Sequence, residues 1–456
     1  MRVVKSNGVF RYRGRIVGIA VAVGASALAL GFDDFTKNAP RPSTANPVDY
    51  MTWLMARVDV PEEHNAAATY IKAIAGTSPI DEPAALEQAS LGPWTENAAA
   101  VQWISSIPRS MYNFRVAAKM DLLNLGLRPG GNVAGGAEWE TALLYVNVPG
   151  LGAFDLLAQG VLAEGWRQWA LGNRTDLLND AVLVLRVAHH LEGELSMVVR
   201  MHAAKIAVRG YGALLRALGE TDSPGELAGT ILSRLAEVDH PPMSLAATYA
   251  LQKLAGWDML QRSYAANADD VRPSARAVYE QLAANTGKPF PEWSAVEPVM
   301  VETGFEGSLA ELDGFFEGLL EWSRMPYFAA KAQESRFVEL GRKLANPMSR
   351  VFVDGITAPA ETIARVSATR LGALLVLRVF QFKQASGQFP DSLDQLGSTA
   401  EVSALREDPY TGNDFVYVRT RDGFLLYSLG PDKKDDAGRA YLPQSVAGDL
   451  VFWPFR

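Results

Sequence analysis

Two neighbouring stretches of apolar residues fix most of what this chain can become. Over 176–191, Leu177, Ala181, Val184, Ala188 and Leu191 recur at helical spacing, and Leu178, Val182 and Leu185 lay a second row beside them. Over 195–218 the same spacing links Val198, Met201, Ala204, Val208, Tyr211, Leu215 and Leu218. Rows of this kind fall on one face of an α-helix, and a helix apolar on so much of its surface has to be covered by neighbours. The two stretches predict a helical hairpin inside a larger helical body. Further helices are predicted at 63–75, 96–122, 138–147, 151–172, 224–238, 243–266, 273–285, 308–322 and 327–345. Breaks are expected at 76–79, 129–136, 149–150, 241–242 and 288–298, where proline and glycine gather. No strict repeat period emerges, although hairpins around 156–238 are similar in pattern to α-solenoid packing.

The last hundred residues read differently. Ala364, Ala368, Leu371, Leu375, Val379 and Phe382 form the stripe of one long helix. Gly387 and Phe389-Pro390 end it. Two strands follow at 414–420 and 424–429, joined across Arg421-Asp422-Gly423, and a D-G pair between such runs signals a hairpin. A closing strand ends at Phe452-Trp453. The predicted class is mainly α: a solenoid-like or irregular multi-helix body with a small C-terminal α+β module.

Several short motifs sit in this module in a fixed order. They are Gly387-Gln388-Phe389-Pro390-Asp391-Ser392-Leu393 through Leu396, then Asp408-Pro409, then Tyr427-Ser428-Leu429-Gly430-Pro431-Asp432, then Asp449-Leu450. Together they resemble the C-terminal part of the major pseudopilin of type II secretion systems. The resemblance covers roughly the last 95 residues. It implies a calcium site with Leu429 as a backbone ligand and Asp432 and Asp449 as side-chain ligands. From chemistry alone, Asp435 and Asp436 add carboxylates to the same loop, and Ca²⁺ takes about six to eight oxygens. Lys433 and Lys434 weigh against a tight site, and a solvated polar turn is the equal alternative. The 181–218 stretch also resembles helical regions of uncharacterised exported bacterial proteins, a similarity that carries no activity.

The N-terminus bears on compartment. Arg2, Lys5, Arg11, Arg13 and Arg15 precede an uncharged apolar run at 16–32. A basic start followed by such a run is an export signal. Residues 1–36 are thus read as a signal peptide, cleaved near 25–29, or as an inner-membrane anchor through 16–32, the run being at the short end of the ~17–25 residues that span a bilayer. Either way the body is expected outside the cytoplasm, periplasmic or anchored to the inner membrane. The run holds no Glu, and Gly31-Phe32 follows it rather than preceding it. Here the chain departs from the pilin leader pattern, which counts against a filament subunit. Residues 37–47 read as a Pro/Ser/Asn linker, 48–346 as the helical domain and 360–456 as the module.

Composition removes several chemistries. The chain has no cysteine, so disulfides, thiol nucleophiles and Cys-based metal sites are excluded. Net charge is −8 and no long basic run lies beyond the N-terminus, which argues against nucleic acid as a partner. The glycine-rich 129–136 lacks a phosphate-loop order, and no GxSxG elbow occurs. His189, His190 and His202, with Glu192 and Glu194, form a His/acid cluster, but without HExxH and with adjacent histidines about 100° apart on a helix. They are read mainly as core or groove histidines. Trp94, Trp103, Trp166, Trp169 and Trp257 are read as core at helical spacing. The leading expectation is a non-catalytic envelope protein whose body binds a protein or peptide. An envelope hydrolase with an acid-based site is the alternative, and a secretion-filament-related component the third.

Overall fold

The computed structural model describes residues 38–57, 60–126, 128, 133–145, 148, 150–194, 196–241, 245–266, 270–440 and 448–455. The expected signal or anchor at 1–36, the 16–32 run and part of the glycine-rich loop lie outside the described residues. No helix among the described residues is long and apolar enough to cross a membrane. The chain is mainly helical, with one small antiparallel sheet near its C-terminus.

Sixteen α-helices are described. They are α1 (Tyr50–Met55), α2 (Ala67–Ala75), α3 (Pro83–Leu91), α4 (Ala98–Ser106), α5 (Pro108–Ala117), α6 (Leu151–Ala170), α7 (Arg174–Glu192) and α8 (Met197–Gly219). Then come α9 (Pro224–Leu235), α10 (Ala246–Ser263), α11 (Pro273–Thr286), α12 (Trp293–Ser323), α13 (Tyr327–Lys343), α14 (Pro347–Val353), α15 (Pro359–Ser386) and α16 (Ala400–Arg406). Six of them begin on proline: α3, α5, α9, α11, α14 and α15. At the first helical position proline's missing N–H costs nothing and its fixed φ suits the helix.

This use of proline explains where the structure departs from the expected elements. The helix expected over 96–122 is two, because Ile107 leaves helical geometry ahead of Pro108. Proline starts α3 and α14, which apolar periodicity did not single out. Proline and glycine also lie inside α12, which begins at Trp293, runs past Pro298 and kinks at Gly304. The helix expected over 138–147 reduces to short 3-10 turns at Ala137–Trp139 and Leu143–Tyr145, anchored by the buried Trp139 and Leu143.

In the central hairpin, Leu177, Ala181, Val184, Ala188 and Leu191 are all buried. On α8, Ala204, Tyr211, Leu215 and Leu218 of the expected stripe are buried, and Val199, Ala203, Ile206, Ala213 and Ala217 beside them are buried as well, whereas Val198 is 61% exposed. Val198 sits in the first turn of α8. Gly210 lets the helices approach closely beside Leu185.

Residues 38–48 are pinned on the body. The Gln261 side chain, fully buried in α10, accepts from the Ser43 and Val48 N–H groups and donates to the Val48 carbonyl at 2.7 Å. Arg41 pairs with Asp313 at 2.6 Å, and the Tyr50 hydroxyl donates to the Pro40 carbonyl.

The sheet orders as β1 (Val416–Arg419), β2 (Phe424–Ser428) and β3 (Leu450–Trp453), all antiparallel. The hairpin pairs Arg419 with Phe424. β3 brings Phe452 against α15 at Gly372, where an added Cβ would lie 2.3 Å from the Phe452 ring. Only glycine permits that approach.

Two apolar clusters fill the molecule. One joins α2–α9 to α15 and the sheet; the other joins α1 to α10–α14 and the first turn of α15. The α+β module thus shares its core with the early helices rather than closing one of its own. The long helix α15 is buried on most sides because it lies between α8 and α9 and the sheet.

Candidate functional site

The last turn of α7 places His189, His190 and Glu192 where the helix meets Gly193. His189 and Glu192, three residues apart, share a face. His190 points inward and is 7% exposed. Its Nε2 lies 3.1 Å from the Met120 carbonyl and its Nδ1 lies 3.0 Å from the Tyr70 hydroxyl. A carbonyl only accepts, so Nε2 carries the hydrogen and Nδ1 accepts from Tyr70. Burial pulls the His190 ring down to about 4. His190 is therefore a neutral core histidine, as its sequence context implied.

His189 turns the other way and keeps an exposed edge. It meets a residue that the sequence reading did not consider. His240 follows α9, and its ring centroid lies 3.7 Å from that of His189, with the planes tilted by 52°. His240 Nδ1 is 3.1 Å from the Pro241 carbonyl and 3.8 Å from Glu192 Oε2. Ligand atoms of His189, Glu192 and His240 all lie within 4.8 Å of one another, the one such trio of His or acid side chains found among the described residues. His202 does not join it.

Electrostatics shape the trio. Glu192 is 6% exposed, and its Oε2 has no hydrogen-bond partner among the described residues. Burial pushes its carboxyl up to about 7 against the opposing pull of Arg200 and Arg370. His189 is held below its ordinary value, first by burial against its neighbours and then by His240 and His190. His240 is lowered mainly by burial, with the Pro241 carbonyl and Asp239 opposing. Neutral imidazoles beside a carboxylate offer two nitrogen donors and one oxygen donor.

The turn carrying His240 is braced from two sides. Asp239 accepts from Arg370 Nε at 2.8 Å and Nη2 at 2.5 Å, and from the Tyr211 hydroxyl at 2.8 Å. Arg370 belongs to α15 and Tyr211 to α8. Glu194 accepts the Leu125 N–H at 2.7 Å, and its own carbonyl accepts from Arg200 Nε at 2.9 Å.

The acidic loop of the module is placed as follows. Leu429 follows β2, and Gly430 turns the chain with φ 66°, its Cβ position only 3.0 Å from the Gly448 carbonyl. Asp432 accepts the Lys434 N–H at 3.2 Å. Asp435 accepts the Tyr427 hydroxyl at 2.9 Å and the Ala437 N–H at 2.8 Å. Asp436 and Asp435 lie near enough to Asp449 to raise its carboxyl, although burial is the larger cause. Asp449 is fully buried; Oδ2 accepts the Gly438 N–H at 2.7 Å, and Oδ1 has no hydrogen-bond partner among the described residues. An orphaned buried carboxylate oxygen fits a cation ligand. One oxygen of Asp432 and one of Asp435, Oδ1 in each, is engaged in holding the loop. Asp408, the first residue of the D-P pair, does comparable work behind the strand. It is buried and accepts from the Ser428 hydroxyl, the Tyr410 N–H and the Leu429 N–H.

Comparison of the chain with protein-family models, with curated proteins and with solved structures returned no match.

Proposed function

We propose that this chain is a non-catalytic extracytoplasmic protein of the bacterial envelope whose helical body engages a protein or peptide, with the pseudopilin-like module as its structural and docking element. The observation that carries the reading is an apolar row left uncovered on α5. Tyr112 is 68% exposed and Val116 38%, one turn apart on one face, while Met111 and Phe114 fill the core on the other. An exposed aromatic beside an aliphatic residue suits an interface better than free solvent. Calcium, as the module's resemblance implies, would be held by Asp449 with Asp435 and Asp436, the Leu429 carbonyl and Asp432. Bound there, it would supply charge neutralisation.

A photo-crosslinking amino acid at position 112, in the full chain carrying a C-terminal periplasmic reporter, tests the reading. A discrete adduct with another protein is expected in reporter-active cells. Reporter activity with no adduct at 112 would overturn the interaction half of the reading, and an inactive reporter would overturn the compartment.

An envelope hydrolase is the second reading. Its support is that Glu192 and Glu194, on either side of Gly193, are both pushed up to about 7 by burial, a range suited to proton transfer. Hydrolysis of model ester, glycoside or peptide substrates that is lost in Glu192→Gln and Glu194→Gln would favour it.

A further inference from the structure

We propose that His189, Glu192 and His240 bind one divalent transition-metal ion of the zinc type, and that this ion clamps the C-terminal end of α7 to the turn after α9. This site is independent of the interaction reading and of the acidic loop. Its donors are borderline in softness, two imidazole nitrogens and one carboxylate oxygen, the set that zinc and its neighbours favour. Calcium wants about six to eight oxygens and is poorly served by imidazoles.

The geometry is close to closed. Around one zinc ion, with bonds of about 2.0–2.1 Å, donors stand roughly 3.3 Å apart. The three ligand atoms already lie within 4.8 Å of one another, so side-chain rotation of about an ångström brings them onto one centre. A pair of histidines stacked for packing alone would not need a carboxylate at their side. Glu192 is 6% exposed, and its Oε2 lacks a hydrogen-bond partner among the described residues. A buried carboxylate oxygen without a donor is costly, and a cation would satisfy it.

The surroundings also suit a ligand set. His240 Nδ1, the nitrogen 3.8 Å from Glu192 Oε2, lies 3.1 Å from the Pro241 carbonyl; with the hydrogen on Nδ1 the lone pair offered to an ion is on Nε2, and ligating histidines are commonly oriented by such a bond. The backbone before His240 is fixed through Asp239, which Arg370 and Tyr211 hold. The exposed edge of His189 gives the ion a path in, and leaves a fourth position for water. Protein ligands from two separate elements, closed by one ion, stabilise the folded chain by mass action.

The test uses the full chain, freed of metal by a chelator and then titrated with Co²⁺. The expected result is one cobalt per chain with the visible absorption of a tetrahedral nitrogen–oxygen site, displaced by Zn²⁺ and not by Ca²⁺. His189→Ala, whose ring edge is exposed, should keep the helical circular dichroism and weaken cobalt binding by at least about tenfold, a ligand being worth no less than the outer-shell partners of a site. Glu192→Gln should do the same, and Asp432→Ala should bind as the unaltered chain does. Absence of a tetrahedral cobalt signal in the unaltered chain overturns the proposal. So does unchanged cobalt affinity in folded His189→Ala, which decides the matter even if Glu192→Gln fails to fold.

Discussion

Arg370 holds Asp239 through a two-point ion pair, Nε to Oδ1 at 2.8 Å and Nη2 to Oδ2 at 2.5 Å, and so ties the long C-terminal helix to the turn that presents His240. Both side chains are 13% exposed. Truncating one partner leaves a buried charge uncompensated, which costs roughly 3–5 kcal/mol. Arg370→Ala should lower the free energy of unfolding by an amount of that order, read in urea denaturation as a lower midpoint at unchanged slope. The double variant Arg370→Leu with Asp239→Asn should lose less than the sum of the single changes, since neither half then strands a charge. Additive losses would show that the pair does not act as a unit.

Gly372→Ala tests the contact between α15 and β3. Alanine gains helix propensity of about 1 kcal/mol over glycine. The new methyl would, however, fall 2.3 Å from the Phe452 ring, and overpacking costs about 1–3 kcal/mol. The net effect should be destabilising. Phe452→Ala alone should cost roughly 3–5 kcal/mol through the cavity it leaves. Adding it to Gly372→Ala should cost little more than Phe452→Ala itself. Equilibrium denaturation of the full chain measures all three.

Millimolar calcium should raise the melting temperature of the full chain, and Asp449→Asn should abolish the rise. Asp449 Oδ1 is the buried oxygen with no hydrogen-bond partner among the described residues. Asp432→Ala should diminish the rise as well, since Asp432 is the ligand that the module's resemblance implies. Glu401→Ala, on α16 and 77% exposed at its side chain, should leave it intact. Identical melting curves with and without calcium would leave the acidic loop as a polar turn.

Residues 360–456 expressed alone should not unfold cooperatively. In the whole chain α15 buries Ala368, Leu375, Val376 and Val379 within the cluster that includes α8 and α9. Excision turns that surface out to water. A sharp thermal transition in the isolated segment would mean that the sheet covers enough of α15 by itself.

Much of this architecture was legible in the chain. The stripe on 176–191, the stripe from Ala364 to Phe382 and the D-G hairpin rest on local spacing, and those two helices and that hairpin stand where the spacing put them. Proline was harder, because the same residue ends one helix and opens the next; Pro108 and Pro83 do the second. The site was legible in half. His189 and Glu192 are near neighbours in sequence and stand out as a His/acid cluster, although their spacing, without HExxH, reads mainly as core or groove histidines. His240 carries no local signal. It reaches His189 only because α9 folds back across the hairpin and Asp239 is held by Arg370, a partner far along the chain. Spacing reports one element at a time, and this cluster is made by two, with a third bracing the turn of one of them.

The sharing of one core between α7–α9 and α15 has a consequence in time. Ribosome or translocon delivers the central hairpin first, and its apolar faces must wait for α15 and β3 before they are covered. Contacts so distant in sequence form slowly, and the waiting surface is prone to the wrong partner. A chain stopped ahead of residue 359 would hold a finished set of helices with an open trough, so late truncations should appear as aggregation or proteolysis rather than as a smaller working protein.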